Sequence, residues 1–348
     1  MPSPRTEASE LAVGFGILAL DPLIRITDDQ RAYHFQSSLP QASYKSFLNE
    51  YSHRPQLHSR MYEVGLQLRS SVPEFQNVDS LRWAGPDKQA STISAASDLL
   101  VANIPVSVKA ISNVVANPSP HNLIYNLPSG QAFSQNERNW YVEQSPKEFQ
   151  DLYSHVRASD PRLTYLPASV TNFEKIATSD DRDLAQLVIA DYNRAQSQAF
   201  TRIYLQMCHA VALASALEFS SRMSNSMKGR ARTAIIENVM RWFFRLDAVP
   251  YILCGLDAND QFGLQVPSLT DFKSRWDLDI IQANADLARR QSVVDFELRF
   301  SSKANQSSYV ANFHTELRWS HGRFCGAPEA KLYKDFHYYE LPFFHRLI

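Results

Sequence analysis

The stretch Ser97-Asp98-Leu99-Leu100-Val101-Ala102-Asn103-Ile104-Pro105-Val106-Ser107-Val108-Lys109 constrains the fold more than any other part of the chain. It reads as two short strands joined at Ala102-Asn103. With that turn, Asp98 lies opposite Ser107, and strand alternation puts Lys109 on the same face as Ser107. Leu99, Val101, Ile104, Val106 and Val108 fill the other, buried face. An acid, a hydroxyl and an amine are thereby predicted to gather on one rigid hairpin.

The rest of the composition sets bounds. At 348 residues, 44% of them hydrophobic and 20% charged, the chain can bury one large core or two modest ones. The formal net charge of −1 excludes a generally basic nucleic-acid coat, but a local basic groove remains compatible with it. Cys208, Cys254 and Cys325 are far apart and odd in number, and no zinc spacing occurs. Reduced thiols in a cytoplasmic compartment are therefore expected. The first residues hold no apolar signal core behind a basic segment, and no apolar run reaches spanning length. The nearest is Ala210 to Leu217. No membrane association is expected.

Residues up to about 70 read as helical, with helix-like spacing over Tyr44–Tyr51 and Ser59–Leu68. Val78–Trp83 reads as a strand, followed by the hairpin of 98–112. Asn117 to Asn122, with two prolines, reads as a turn. Pro146 starts a helix behind Ser145. From Ser179 the character changes. A long helix is expected with an apolar stripe from Leu184 to Val211, then a second helix over Gly229–Leu246. Strands are expected at Tyr251–Cys254, Val293–Phe300 and His314–Trp319. The last two resemble each other (Phe296-Glu297-Leu298-Arg299-Phe300 against Thr315-Glu316-Leu317-Arg318-Trp319), as adjacent antiparallel strands would. The expected division is 1–178 and 179–348, or one continuous domain.

The hairpin resembles the PD-(D/E)XK, or restriction-endonuclease-like, nuclease superfamily, over roughly residues 60 to 125. The resemblance implies an α/β fold with a mixed central sheet flanked by helices, here followed by a helical and β-rich C-terminal half. It implies Asp98 as the first acid and Ser107-Val108-Lys109 as the acid-x-Lys triplet, with Mg²⁺ held by Asp98 and the Val108 carbonyl. Oxygen donors suit that ion, which keeps several waters and takes one or two carboxylates. Lys109 would orient or deprotonate the attacking water and stabilise developing negative charge. The chain departs from the family pattern at two positions. Ser97 stands where a Pro is usual, and Ser107 stands where an acid is required. Some members carry Ser there and recruit a Glu from a neighbouring helix. Glu63 is the first candidate and Glu50 the second.

Other constellations carry less. Gly14-Phe15-Gly16 is a fragment of a nucleotide loop without its continuation. Cys208-His209 lies in a helical pattern, where chain neighbours point apart. Glu297 and Glu316 are each followed by Leu-Arg, a weaker acid site. The segment from Glu316 to Tyr339 interleaves basic residues with aromatics. It reads either as a nucleic-acid surface or as a final strand and hairpin whose aromatics close the core. The expectation taken forward is a Mg²⁺-dependent endonuclease on double-stranded DNA, a site-specific restriction enzyme acting as a homodimer. Ser112, Asn113, Arg318, His321, Arg323, Lys331 and Lys334 are the expected DNA contacts. The alternative is a nucleic-acid- or partner-binding protein with a degenerate, inactive nuclease core. A hydrolase of another phosphoester is a third reading.

Overall fold

The computed structural model describes residues 3–85, 97–111, 113–134, 139–194, 197–229, 231–257, 260–319 and 328–348. Ser112, His321, Arg323 and Cys325 lie outside these residues. The chain opens with α1 (Pro4–Ile17), α2 (Asp28–His34), α3 (Gln41–His53) and α4 (Pro55–Ser71). Strands β1 (Arg82–Trp83), β2 (Leu99–Val101), β3 (Ile104–Ala110) and β4 (Val114–Ala116) follow. A helical stretch comes next: α5 (Trp140–Gln144), α6 (Pro146–Ser159), α7 (Val170–Ile176), α8 (Ser179–Arg194), α9 (Gln198–Ser226) and α10 (Arg232–Phe243). Then come β5 (Tyr251–Asp257), β6 (Asp260–Val266), α11 (Leu269–Arg275), β7 (Trp276–Asp286), β8 (Ser292–Ser302), β9 (Ser308–Trp319), β10 (Pro328–Lys334) and β11 (His345–Arg346). The molecule is mixed α/β with two sheets.

The chain divides into two compact units. One takes Met1–Asn113, Arg245–Trp276 and His337–Ile348; the other takes Val114–Phe244 and Asp277–Phe336. A division at 178 is therefore not what the structure has. β3 pairs in parallel with β5, and parallel neighbours need a long crossover. Most of the second unit is inserted in that crossover.

The sheet of the first unit runs β1-β2-β3-β5-β6-β11, with β3 and β5 parallel and the other pairings antiparallel. Phe15, Phe47, Met61, Val64 and Leu68 of α1, α3 and α4 pack with Leu99, Val101, Val106, Val108 and Cys254 on one face of it. Each such fully buried side chain contributes ~1.5–3 kcal/mol. Helices α1 and α4 touch backbone to backbone. A Cβ at Gly16 would stand 2.1 Å from the Tyr62 carbonyl oxygen, and one at Gly65 would stand 2.2 Å from that of Val13. The Gly14-Phe15-Gly16 triplet thus serves helix packing, not a nucleotide loop.

The second unit has the sheet β4-β10-β9-β8-β7. β8 and β9 are antiparallel neighbours, which accounts for their similar sequences: each sends alternate residues into one core. Phe296 packs edge-on to Phe219 of α9 and Phe243 of α10, with centroids 5.0 and 5.3 Å away. The long helix expected from Ser179 is two helices. Thr178 accepts from the Asp181 N–H at 3.2 Å at the start of α8, and Ser197 accepts from the Phe200 N–H at 3.4 Å at the start of α9. Such caps satisfy otherwise orphaned amides. Among the described residues no helix is long and apolar enough to cross a membrane.

Candidate active site

The hairpin has the register that the sequence predicts. Leu99 pairs with Val106, Leu100 with Pro105 and Val101 with Ile104. Ala102 and Asn103 close it at φ 48° and 65°, the two successive positive values of a type I′ turn, whose twist matches that of paired strands.

Asp98 stands just before β2, where the ladder ends. Its backbone N–H donates to the Val106 carbonyl at 2.8 Å, and its own carbonyl accepts from Ala84 at 2.9 Å. The carboxylate oxygen Oδ2 accepts the Val108 N–H at 2.6 Å and the Ser107 hydroxyl at 3.3 Å. Asp98 is 6% exposed and Ser107 2%. The acid is therefore built into the sheet and held in one orientation by two donors; a solvent-face charge would have neither property. Its negative charge reaches β5. Burial first, and then Asp98, push the Cys254 thiol well up. Burial takes the Tyr251 hydroxyl up to about 12, with Asp98 adding a smaller push.

Lys109 lies two residues beyond Ser107 on the same face, half-buried, and is paired with Gly255 of β5. The Val106 carbonyl and the Val108 N–H both meet Asp98, so alternate peptide groups of β3 face the β2 edge. The Val108 carbonyl faces it too. Asn113 follows β3 and is exposed.

Glu63 does not join this cluster. It is exposed on α4 and accepts from Gln261 Nε2 of β6 at 2.9 Å. Helix α4 covers the Leu99 and Val106 face of the sheet, while Ser107 and Lys109 occupy the opposite one. Helical spacing shows which residues share a stripe, but not which side of a sheet the helix covers. Glu50 is ion-paired with Arg54 at 2.7 Å on α3. Among the described residues, the buried carboxylates are Glu10 at 1%, Asp98 at 6% and Asp257 at 9%, all in the first unit. Glu10 accepts from Trp83 Nε1 at 2.9 Å, and Asp257 Oδ2 lies 3.3 Å from His337 Nδ1. Sequence reading missed both acids. For Glu10 the available signal was an acid directly before the apolar run Leu11-Ala12-Val13.

Among the described residues no group of three or more His, Cys, Asp or Glu side chains gathers to hold a metal. The donors at the hairpin are one oriented carboxylate and the Val108 carbonyl. That set suits a hard cation that keeps most of its waters, not one enclosed by protein ligands.

Of the expected DNA contacts of the C-terminal segment, the described ones, Arg318, Lys331 and Lys334, lie in the second unit and are engaged there. Arg318 bonds Glu329 at 3.2 Å and faces Glu316 at 3.7 Å. Lys331 lies 3.7 Å from Glu329. Lys334 is 3% exposed and donates to the Phe336 carbonyl at 2.9 Å, so it is no surface cation. Lys334 faces the core because it pairs with Phe313 of β9. Cys208 is fully buried, and burial raises its thiol to about 11, which leaves it unreactive.

Comparison with protein-family models, with curated proteins and with solved structures finds no match to this chain.

Proposed function

We propose that the chain is a Mg²⁺-dependent endonuclease hydrolysing DNA phosphodiester bonds at the Asp98–Lys109 hairpin, as a site-specific restriction enzyme acting on duplex DNA as a homodimer. The observation that carries this reading is the buried Asp98 carboxylate, oriented by Ser107 and the Val108 N–H on the strand that presents Lys109. The mixed sheet, with its antiparallel hairpin, parallel fourth strand and covering helices, fits the restriction-endonuclease-like core that the motif resembles.

Asp98 and the Val108 carbonyl would hold Mg²⁺, which when bound neutralises charge on the scissile phosphate and acidifies a bound water. Ser107 takes no metal in this scheme. It fixes the Asp98 carboxylate, the part an acid at its place would otherwise share. Lys109 places a cation beside the oriented carboxylate, where it can align the attacking water and offset charge on the phosphorane oxygens; only as its neutral amine would it take the water's proton. The half-burial of Lys109 strengthens that field, since water screens it less.

One observation favours a second reading, a binding protein with an inactive core: the hairpin has a single carboxylate, and Glu63 lies on the far side of the sheet. Incubating the full chain with long mixed-sequence duplex DNA and Mg²⁺ or Mn²⁺, beside Lys109→Ala, separates the two. Discrete fragments from the unmodified chain alone support the endonuclease. Intact DNA in every lane, with DNA retained in a gel-shift assay, supports the inactive binder.

A further inference from the structure

The face of the first sheet that carries Lys109 continues onto β5 and β6, and a cavity of about 570 Å³ opens at its β6 edge, reaching round to Gln67 of α4 and Gln261 on the other side. Asp257, Asp260, Phe262, Tyr338, Tyr339 and Arg346 line it. Gly255 is the partner of Lys109, so Asp257 stands one diagonal step away on the same face, roughly 7–8 Å between Cα atoms. The cavity thus lies one strand beyond the hairpin, and Asp257 and Asp260 place it at the carboxyl end of β5, the end of a parallel strand where ligands of such sheets bind.

Its walls have a specific chemistry. Tyr339 is 49% exposed and stacks on His337, with centroids 5.2 Å apart and rings 10° from parallel. His337 in turn meets Asp257 Oδ2 at 3.3 Å, which fixes that carboxylate in a site where Asp257 is only 9% exposed. Phe262 and Tyr338 pack against each other at 5.5 Å as an apolar wall. Arg346 adds a cation at the exposed rim. A supported aromatic ring with an outward face is a stacking platform for a flat heterocycle. Carboxylates present acceptors only, so they select an edge made of donors. The volume is that of a small-molecule site.

We infer that this cavity takes a single unstacked nucleobase with a donor edge, stacked on Tyr339 and read by Asp257, with the attached phosphate towards Arg346. Guanine fits best, because its ring N–H and amino group present two parallel donors to one carboxylate, whereas thymine offers a single N–H between two carbonyls. The inference deepens the nucleic-acid reading of the hairpin and rests on it for its biological sense. Its test is independent of cleavage.

The 348-residue chain in metal-free buffer is titrated with dGMP, dCMP, dAMP and dTMP, followed by calorimetry. The expected result is saturable binding of dGMP, about tenfold or more tighter than dTMP. Tyr339→Ala, at an exposed position that preserves the fold, weakens dGMP by a similar factor. Asp257→Asn narrows the gap between dGMP and dTMP. Equal binding of all four nucleotides, no binding of any, or dGMP binding untouched by both variants overturns the site. Binding without any DNA cleavage in Mg²⁺ leaves the cavity standing and removes the nuclease; cleavage without nucleotide binding does the reverse.

Discussion

Gly255 and Lys109 face each other across the parallel pair at a distance that no other residue at 255 would tolerate. A Cβ there would stand 1.8 Å from the Lys109 carbonyl oxygen, and Gly255 has φ 143°. Both the contact and the backbone conformation require glycine. Gly255→Ala should therefore force β3 from β5 and destabilise the chain by on the order of 3 kcal/mol or more. A denaturant titration showing a loss below about 1 kcal/mol would refute that close approach.

Asp98 has a structural role and a proposed metal-binding role, which substitution can separate. Asp98→Asn keeps an acceptor for the Val108 N–H, so folding stability should fall by less than about 1 kcal/mol, while Mg²⁺ binding and cleavage are lost. Asp98→Ala leaves the buried Val108 N–H and Ser107 hydroxyl without their acceptor and should cost ~1–3 kcal/mol. Equal unfolding midpoints for the two variants would show that the carboxylate does not hold the hairpin.

Glu63→Gln tests the side of the sheet. Because Glu63 is exposed and bonded to Gln261, the substitution should change stability by no more than ~0.5 kcal/mol and leave the cleavage rate within about twofold. A hundredfold loss would return Glu63 to the active site.

His58 makes the first unit sensitive to acid. It is fully buried against Tyr51, with neither ring nitrogen hydrogen-bonded. Burial lowers its pKa, outweighing the opposing pull of Glu50. With the folded value below the unfolded value of roughly 6.5, the unfolded chain takes up the proton first as pH falls. Stability associated with His58 is thus full above pH ~6.5 and declines below it, by at most ~1.4 kcal/mol per pH unit. His58→Phe should flatten the stability profile between pH 7 and pH 5, measured by urea unfolding. An unchanged slope would show that other groups set it.

Arg318 and Lys331 share Glu329. Replacing either by Ala should leave the salt dependence of DNA affinity unaltered, since a cation already neutralised by a carboxylate releases no counterion from DNA. A slope reduced by ~1 in a log–log plot would mark the residue as a phosphate contact.

Local chemistry was legible along the chain. The pair Ala102-Asn103 announced a turn, and alternation then fixed that Asp98, Ser107 and Lys109 belong together, because a strand has a period of two whatever surrounds it. Pro146 behind Ser145 announced α6 in the same way. By contrast, β6 and β7 were not found, β10 entered only as the alternative of a final strand and hairpin, and Val78–Trp83 shortens to β1 at Arg82–Trp83. β6 pairs with β5 and β10 with β9, their neighbours along the chain, so what makes them strands is cross-strand packing and shared burial, of which their own residues carry little signal. The interruption between α8 and α9 was hidden because the apolar stripe continues on both sides of Ser197.

What the sequence by itself determined is the hairpin, its register and the three side chains it groups, all consequences of φ/ψ preferences and strand period over a dozen residues. What only the tertiary structure decided is the environment of that group. The parallel docking of β5 brings Gly255 against Lys109 and Asp257 beside it. The choice of face for α4 sends Glu63 away, and the pairing of Lys334 with Phe313 buries a residue that composition alone placed on the surface. Each depends on contacts between residues far apart in sequence, whose formation is settled by loop closure and shared burial, not by any local preference.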